Sequence, residues 1–182
     1  MNLKSFILLP IFILLTYLLP GQSDTGFLVK PYLQFSTQTG MYILWETHKN
    51  ATTKVEYGEA TKNASQPNLE QTVNIKGQRT LHEVYLEKVK PETNYFYRVV
   101  SATEDGKEWI SPTSTFKTAV KDSSSLMFAL IGDTQRNNDT PWAWGKIAEK
   151  VWQDRPNFVV HVGDLVDKGL EKTDWTEHFF PY

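Results

Sequence analysis

Two aspartates stand where carboxylates can do chemistry. Asp133 follows Gly132 at the end of the apolar run Leu126-Met127-Phe128-Ala129-Leu130-Ile131. Asp164 follows Gly163 at the end of a second run, Phe158-Val159-Val160-His161-Val162. A glycine before each lets the chain turn sharply and brings the carboxylate close to backbone and ligand. Two carboxylates side by side repel unless a cation lies between them, so a metal is the economical explanation of the pair. The chain has no cysteine. That excludes thiolate ligands, a nucleophilic cysteine, disulfides and a lipid-modified N-terminal cysteine. Any metal is therefore held by oxygen and imidazole, a donor set that suits Mn, Mg, Fe or Zn, the last with histidines from elsewhere. Either aspartate alone reads equally well as a solvated loop residue; the two in order on one folding unit carry more weight.

The elements that must position them read as a strand–helix–strand unit. Both apolar runs have the continuous hydrophobicity of buried strands in a sheet covered on both faces. Between them, Thr140-Pro141 fits an N-cap and first helical position. Trp144, Ile147, Ala148, Val151 and Trp152 then recur at helical spacing, and Pro156 ends the segment. Parallel α/β sheets bind ligands beyond the carboxyl ends of their strands, so Asp133 and Asp164 are expected to converge on one crevice. Upstream, the polar, serine-rich residues 120–125 read as a linker.

Residues 27–119 follow a different rule, with period two rather than 3.6. Met41-Tyr42-Ile43-Leu44-Trp45 is a β-rich run between Thr39-Gly40 and His48-Lys49-Asn50. Thr53, Val55 and Tyr57 alternate with Lys54 and Glu56. Val73 and Ile75 lead to Gly77, and Val84, Leu86 and Val89 lead to Pro91. Tyr95, Tyr97 and Val99 alternate with Phe96 and Arg98, and residues 113–117 make a last short strand. Short strands at this spacing suggest an all-β sandwich.

Val89-Lys90-Pro91-Glu92-Thr93-Asn94-Tyr95 resembles the tyrosine corner of fibronectin type III domains, with Tyr95 as the corner residue. With His82, Val84 and Leu86 before it, and with Pro31-Tyr32-Leu33-Gln34 and Ile43-Leu44-Trp45, the segment looks closer still to the N-terminal sandwich of purple-acid-phosphatase-like proteins. Trp45, Tyr57 and Tyr95 are expected in the core, and His82 is expected to be structural. Ile131-Gly132-Asp133-Thr134-Gln135 and His161-Val162-Gly163-Asp164-Leu165-Val166-Asp167 look like the first two signatures of the calcineurin-like metallophosphoesterases. The combined expectation is an all-β fibronectin III-like sandwich (residues 23–119), a linker (120–125) and the start of an α/β metallophosphoesterase domain (126–182), truncated.

The resemblance implies two divalent or mixed-valence metal ions, Fe, Mn or Zn. Asp133 matches the ligand of the first and Asp164 the ligand bridging both. Such a pair clamps phosphoryl oxygens and lowers the pKa of a water that attacks phosphorus, while the protein supplies positioning and charge neutralisation. Three departures stand out. Gln135 occupies the place of the histidine in the usual Asp-x-His signature; its amide oxygen is a weaker ligand than imidazole, and binding a metal, holding a water or doing neither are the roles open to it. Asp167 occupies the place of the tyrosine found in purple enzymes, so no tyrosinate–iron colour is expected. The Gly-Asn-His signature and the later histidines are expected downstream of Tyr182, so no catalytic residue is assigned within the chain. By position, His161 reads as a core histidine and His178 as part of a packing segment. Two strands and one helix cannot bury their own apolar faces, so the chain reads as an incomplete, inactive fragment.

Lys4 precedes an apolar run over residues 6–19, broken by Pro10 and Thr16. A bilayer span needs about 20 such residues, so this run fits a secretory signal peptide over residues 1–22, with an uncleaved anchor as the alternative. Either way the protein is expected to be exported, secreted or periplasmic, with no stable span after cleavage. A net charge of −2 gives no electrostatic reason to expect nucleic acid. The expected partner is a phosphate-ester small molecule or phosphoprotein. The alternative is a secreted binding module carrying a degenerate phosphoesterase remnant. Asn50-Ala51-Thr52, Asn63-Ala64-Ser65 and Asn138-Asp139-Thr140 are glycosylation sequons, relevant only in a eukaryotic secretory pathway.

Overall fold

The computed structural model describes residues 26–61, 66–136 and 143–182. The expected signal peptide, the Thr140-Pro141 helix start and the sequons at Asn63 and Asn138 lie outside the described residues.

Six antiparallel strands form one continuous hydrogen-bonded system: β1 (Phe27–Gln34), β2 (Gly40–Glu59), β3 (Gln71–Glu87), β4 (Asn94–Ala102), β5 (Glu108–Ile110) and β6 (Ser114–Lys117). The long strand β2 organises it. Its first half pairs with β1, as in Leu33 with Ile43, and with the end of β3, as in Leu86 with Met41. Its second half pairs with the start of β3, as in Val73 with Val55, and with β4, as in Val99 with Val55. The β2–β3 register shifts on both sides of Ala51. Such bulges bend a strand and let it pass from one layer of a sandwich to the other. The sequence pattern suggested two shorter strands, one on each side of this point. His48-Lys49-Asn50 instead stays within β2, because the bulge absorbs the bend that a turn would otherwise make.

The layers close over Ile43, Trp45, Val55, Tyr57, Val84, Leu86, Tyr95, Tyr97, Val99 and Phe116, all buried. The period-two pattern puts these side chains inward while Lys54, Glu56 and Arg98 form ion pairs at the rim. Trp45 is fully enclosed, and its indole N–H donates to Ser101 Oγ at 3.0 Å. Tyr95 closes the corner as expected: the Lys90 backbone N–H donates to its hydroxyl at 2.8 Å.

His82 has no exposed surface, and its ring stacks on Trp45 with centroids 4.7 Å apart. Thr47 Oγ1 spends its proton on the Lys49 carbonyl at 2.7 Å, so His82 Nε2–H donates to Thr47 at 3.0 Å. His82 Nδ1 then accepts from Thr53 Oγ1 at 2.7 Å. Burial, with the Arg79 charge adding to it, pushes the imidazole down to about 4. It is a neutral, fully paired core residue, in line with its expected structural role.

Residues 120–125 are tied to the sandwich by Gln38 Nε2 donating to Asp122 at 2.8 Å and Ser124 Oγ donating to Glu92 at 2.7 Å. Beyond them, β7 (Phe128–Ile131) and β8 (Phe158–His161) pair in parallel, with helix α1 (Ala143–Asp154) between them in sequence. A single π-helical turn follows at Asp174–Phe179.

The expectation of strands covered on both faces is not met. Phe128, Leu130, Phe158 and Val160 are exposed, and Val162 is 66 % exposed. Two strands offer two apolar faces, and no residue of α1 is fully buried. The C-terminal segment instead leans on the sandwich. The rings of Tyr32 and Phe180 lie 4.9 Å apart, and Lys172 Nζ donates to Glu46. Between them is a cleft of about 340 Å³ lined by Val29, Tyr32, Leu81, Leu170, Trp175 and Phe180.

Candidate metal centre

Asp133 and Asp164 occupy equivalent places at the carboxyl ends of the two parallel strands. Each adopts the left-handed backbone, with φ of 54° at both positions. This region is unfavourable for residues with a Cβ and is tolerated best by asparagine and aspartate. Residues held there cluster at functional sites. The glycine before Asp164 has φ of 127°, which favours glycine strongly. A Cβ on Gly132 would come within 2.9 Å of the Val162 side chain. Gly132 therefore serves the close approach of the two loops, and Gly163 the backbone angle of its turn.

Two backbone hydrogen bonds join them. Asp133 N–H donates to the Gly163 carbonyl at 3.1 Å, and Gln135 N–H donates to the Asp164 carbonyl at 3.0 Å. The parallel pairing continues as Val162 N–H donates to the Ile131 carbonyl at 2.9 Å. The sequence places the two aspartates on separate loops; the fold makes those loops one unit.

Both aspartate side chains are exposed, and among the described residues neither carboxylate makes a hydrogen bond or an ion pair. Gln135 differs. Its Oε1 is buried and has no partner, one of two such side-chain atoms among the described residues, the other being Trp109 Nε1. An unpaired buried amide oxygen costs about 1–3 kcal/mol unless something meets it. Two unpaired carboxylates and one orphaned amide oxygen are oxygen donors of a type that Mg, Mn, Fe and Zn accept, so in donor chemistry these residues fit a metal ion. Among the described residues no three His, Cys, Asp or Glu side chains gather into a ligand cluster.

Asp167 is exposed. His178 sits 3.4 Å from Arg136 Nη1 and 3.9 Å from Asp174 Oδ1, on the π-helical turn. His161 is half-buried at the end of β8 and is fully hydrogen-bonded, not enclosed as a core histidine would be. Thr134, between Asp133 and Gln135, is buried and pairs with His161. The sequence pattern gave no reason to single out Thr134 or Arg136, since neither type at that place has a distinctive spacing.

The fold of residues 27–117 defines a sandwich of the fibronectin III-like class, with the corner tyrosine in place. Residues 29–118 match the family model described as the purple acid phosphatase N-terminal domain. A purple acid phosphatase, PPD1, isolated from yellow lupin (Lupinus luteus) seeds, superposes with a TM-score of 0.56 at 18 % identity, covering 75 % of this chain and 29 % of that one. A structure of PhoD superposes with a TM-score of 0.57 at 14 % identity, covering 80 % of this chain and 29 % of its own length. At these identities the likeness is one of fold. The chain spans less than a third of either structure. No curated protein matches the chain.

Proposed function

We propose that the chain belongs to an exported metal-dependent phosphoesterase of the acid-phosphatase-like type, and that Asp133 and Asp164 are metal ligands with Gln135 as an additional oxygen donor. The observation that carries this reading is the pair of backbone hydrogen bonds holding two unpaired, left-handed aspartates side by side at the ends of parallel strands. The purple acid phosphatase N-terminal domain beside them supports it. When bound, Fe, Mn or Zn ions would neutralise phosphoryl charge and activate water for hydrolysis of a phosphate ester, small molecule or phosphoprotein. Asp133 and Asp164 would hold the ions, and the backbone bonds between the loops would fix the spacing of the carboxylates.

The described donors are too few for two metal ions. The proposal is therefore that a longer form of the protein supplies the remaining ligands and the catalytic groups, and that this chain alone is inactive. The exported location rests on the leader-like residues 1–22.

The test compares two proteins on p-nitrophenyl phosphate with added Mn2+, Zn2+ or Fe2+. A form extended to the size of the structural neighbours is expected to hydrolyse it, and a chelator to stop the reaction. The 182-residue chain is expected to do neither. Turnover by the short chain would refute the need for further donors. No turnover by the extended form with any metal would favour the second reading, a secreted binding module with a degenerate remnant, which the small donor count also supports.

A further inference from the structure

His161 holds two hydrogen bonds that belong to different loops. Its Nδ1 accepts from the Gly163 backbone N–H at 3.2 Å, one residue before Asp164. Its Nε2 lies 2.8 Å from Thr134 Oγ1, which sits between Asp133 and Gln135. The Thr134 hydroxyl points its proton at the Leu165 carbonyl, 3.2 Å away on the far side of Asp164.

These contacts fix every proton. An N–H arriving from Gly163 requires Nδ1 to be bare. The Thr134 proton is used on Leu165, so Thr134 Oγ1 can only accept from the ring. His161 must therefore carry its proton on Nε2, and the chain runs Gly163 N–H to Nδ1, Nε2–H to Thr134, and Thr134 O–H to Leu165. The ring is held edge-on to Phe179 at 6.1 Å and to Trp144 at 6.5 Å. Those two rings stack on each other at 5.4 Å, and Trp144 Nε1–H donates to the Phe179 carbonyl at 3.0 Å.

We propose that His161 is a positioning residue, locked as its Nε2–H tautomer, that clamps the Asp133 loop to the Asp164 loop through Thr134 and Gly163 and so sets the spacing of the two carboxylates. The proposal rests on the metal-ligand reading above for its consequence, but not for the clamp itself. Hydrogen bonds that orient ligands without touching the metal are commonly needed for affinity.

The experiment uses the full 182-residue chain, labelled with 15N, as wild type and as His161→Phe, His161→Gln and Thr134→Val. Phenylalanine keeps a ring against Trp144 and Phe179 and removes both hydrogen bonds. Glutamine restores an N–H near the position of Nε2. Unchanged signals from Trp45 and His82 report that the sandwich of each variant is folded. Long-range imidazole 1H–15N correlations are expected to show the Nε2–H tautomer in the wild type. Exchange of the Asp133 and Gln135 amides, the donors of the cross-loop bonds, is expected to quicken roughly tenfold in His161→Phe and Thr134→Val, and to recover in part in His161→Gln. Calorimetric Mn2+ affinity is expected to fall about 10- to 100-fold in the same two variants and to recover in the same order.

An Nδ1–H tautomer, or amide exchange indifferent to His161→Phe, would overturn the clamp. If Mn2+ binding depends on Asp164 but not on His161, the clamp fails and the metal reading stands. If the tautomer and exchange behave as stated while the wild type binds no metal ion tried, the clamp stands and the metal reading fails.

Discussion

The backbone N–H of Gln135 donates to the carbonyl of Asp164 at 3.0 Å, which makes one unit of two loops. The Gln135 side chain carries a buried Oε1 with no partner among the described residues. A buried amide oxygen left unpaired has a cost in the metal-free chain, and on the proposed reading a metal ion would offset it.

That cost gives a paired expectation for Gln135→Leu. Removing an unpaired buried polar group at nearly constant volume should stabilise the metal-free chain by about 1 kcal/mol in urea unfolding. The same substitution should weaken Mn2+ binding about tenfold, as loss of a neutral oxygen ligand does. Stability lowered by the substitution, with affinity unchanged, would show Gln135 to be an ordinary packing residue.

His82 makes the sandwich acid-sensitive. Its folded value of about 4 lies below the ordinary 6.5, so below pH 6.5 the unfolded chain takes up a proton that the folded chain refuses. The contribution is fully present above pH 6.5 and is lost as the pH falls toward 4. The loss is about 2 kcal/mol, kept below the full value of the displacement because water screens a thin sandwich. His82→Gln, which cannot titrate, should flatten stability between pH 6.5 and 4 relative to wild type. Identical pH slopes in the two proteins would contradict a neutral buried imidazole.

Tyr95→Phe removes the acceptor of the Lys90 N–H while keeping the ring stacked on Phe116. The expected cost is about 1–2 kcal/mol in thermal or urea unfolding, with the backbone N–H left to water. A change below a few tenths would mean that the corner is held by packing alone.

The open faces of β7 and β8 should reveal themselves in solution. The full chain is expected to bind a hydrophobic dye such as ANS and to self-associate with rising concentration, whereas residues 26–119 alone remain monomeric. Leu130→Glu, on an exposed position, should reduce dye binding without unfolding the sandwich. Equal dye binding by both proteins would place the apolar surface elsewhere.

Much of this is legible in the sequence. Alternation in residues such as Tyr95, Tyr97 and Val99 marks a strand with one buried face, and the corner motif ties a turn to a hydroxyl. The glycine before each aspartate marked the loops, Gly132 because a side chain there would meet Val162 and Gly163 because its backbone angle favours glycine. Other features leave no local trace. The bulge at Ala51 keeps β2 continuous through polar residues that look like a turn. Strand β5 has only Trp109 buried, too little for a pattern. His161 in an apolar strand looks like core, and its partner Thr134 is 27 positions away, set by parallel pairing and not by spacing. The cover for β7 and β8 cannot be read from their own hydrophobicity, which states only that cover is needed.

The most direct test of Asp133 and Asp164 as ligands is a Mn2+ titration followed by EPR, in which bound ion disappears from the free-ion signal. The wild-type chain should remove Mn2+ from solution, and Asp133→Asn and Asp164→Asn should each return most of it, with the sandwich folded throughout. Wild type and both variants leaving the same free Mn2+ at every concentration would contradict the account.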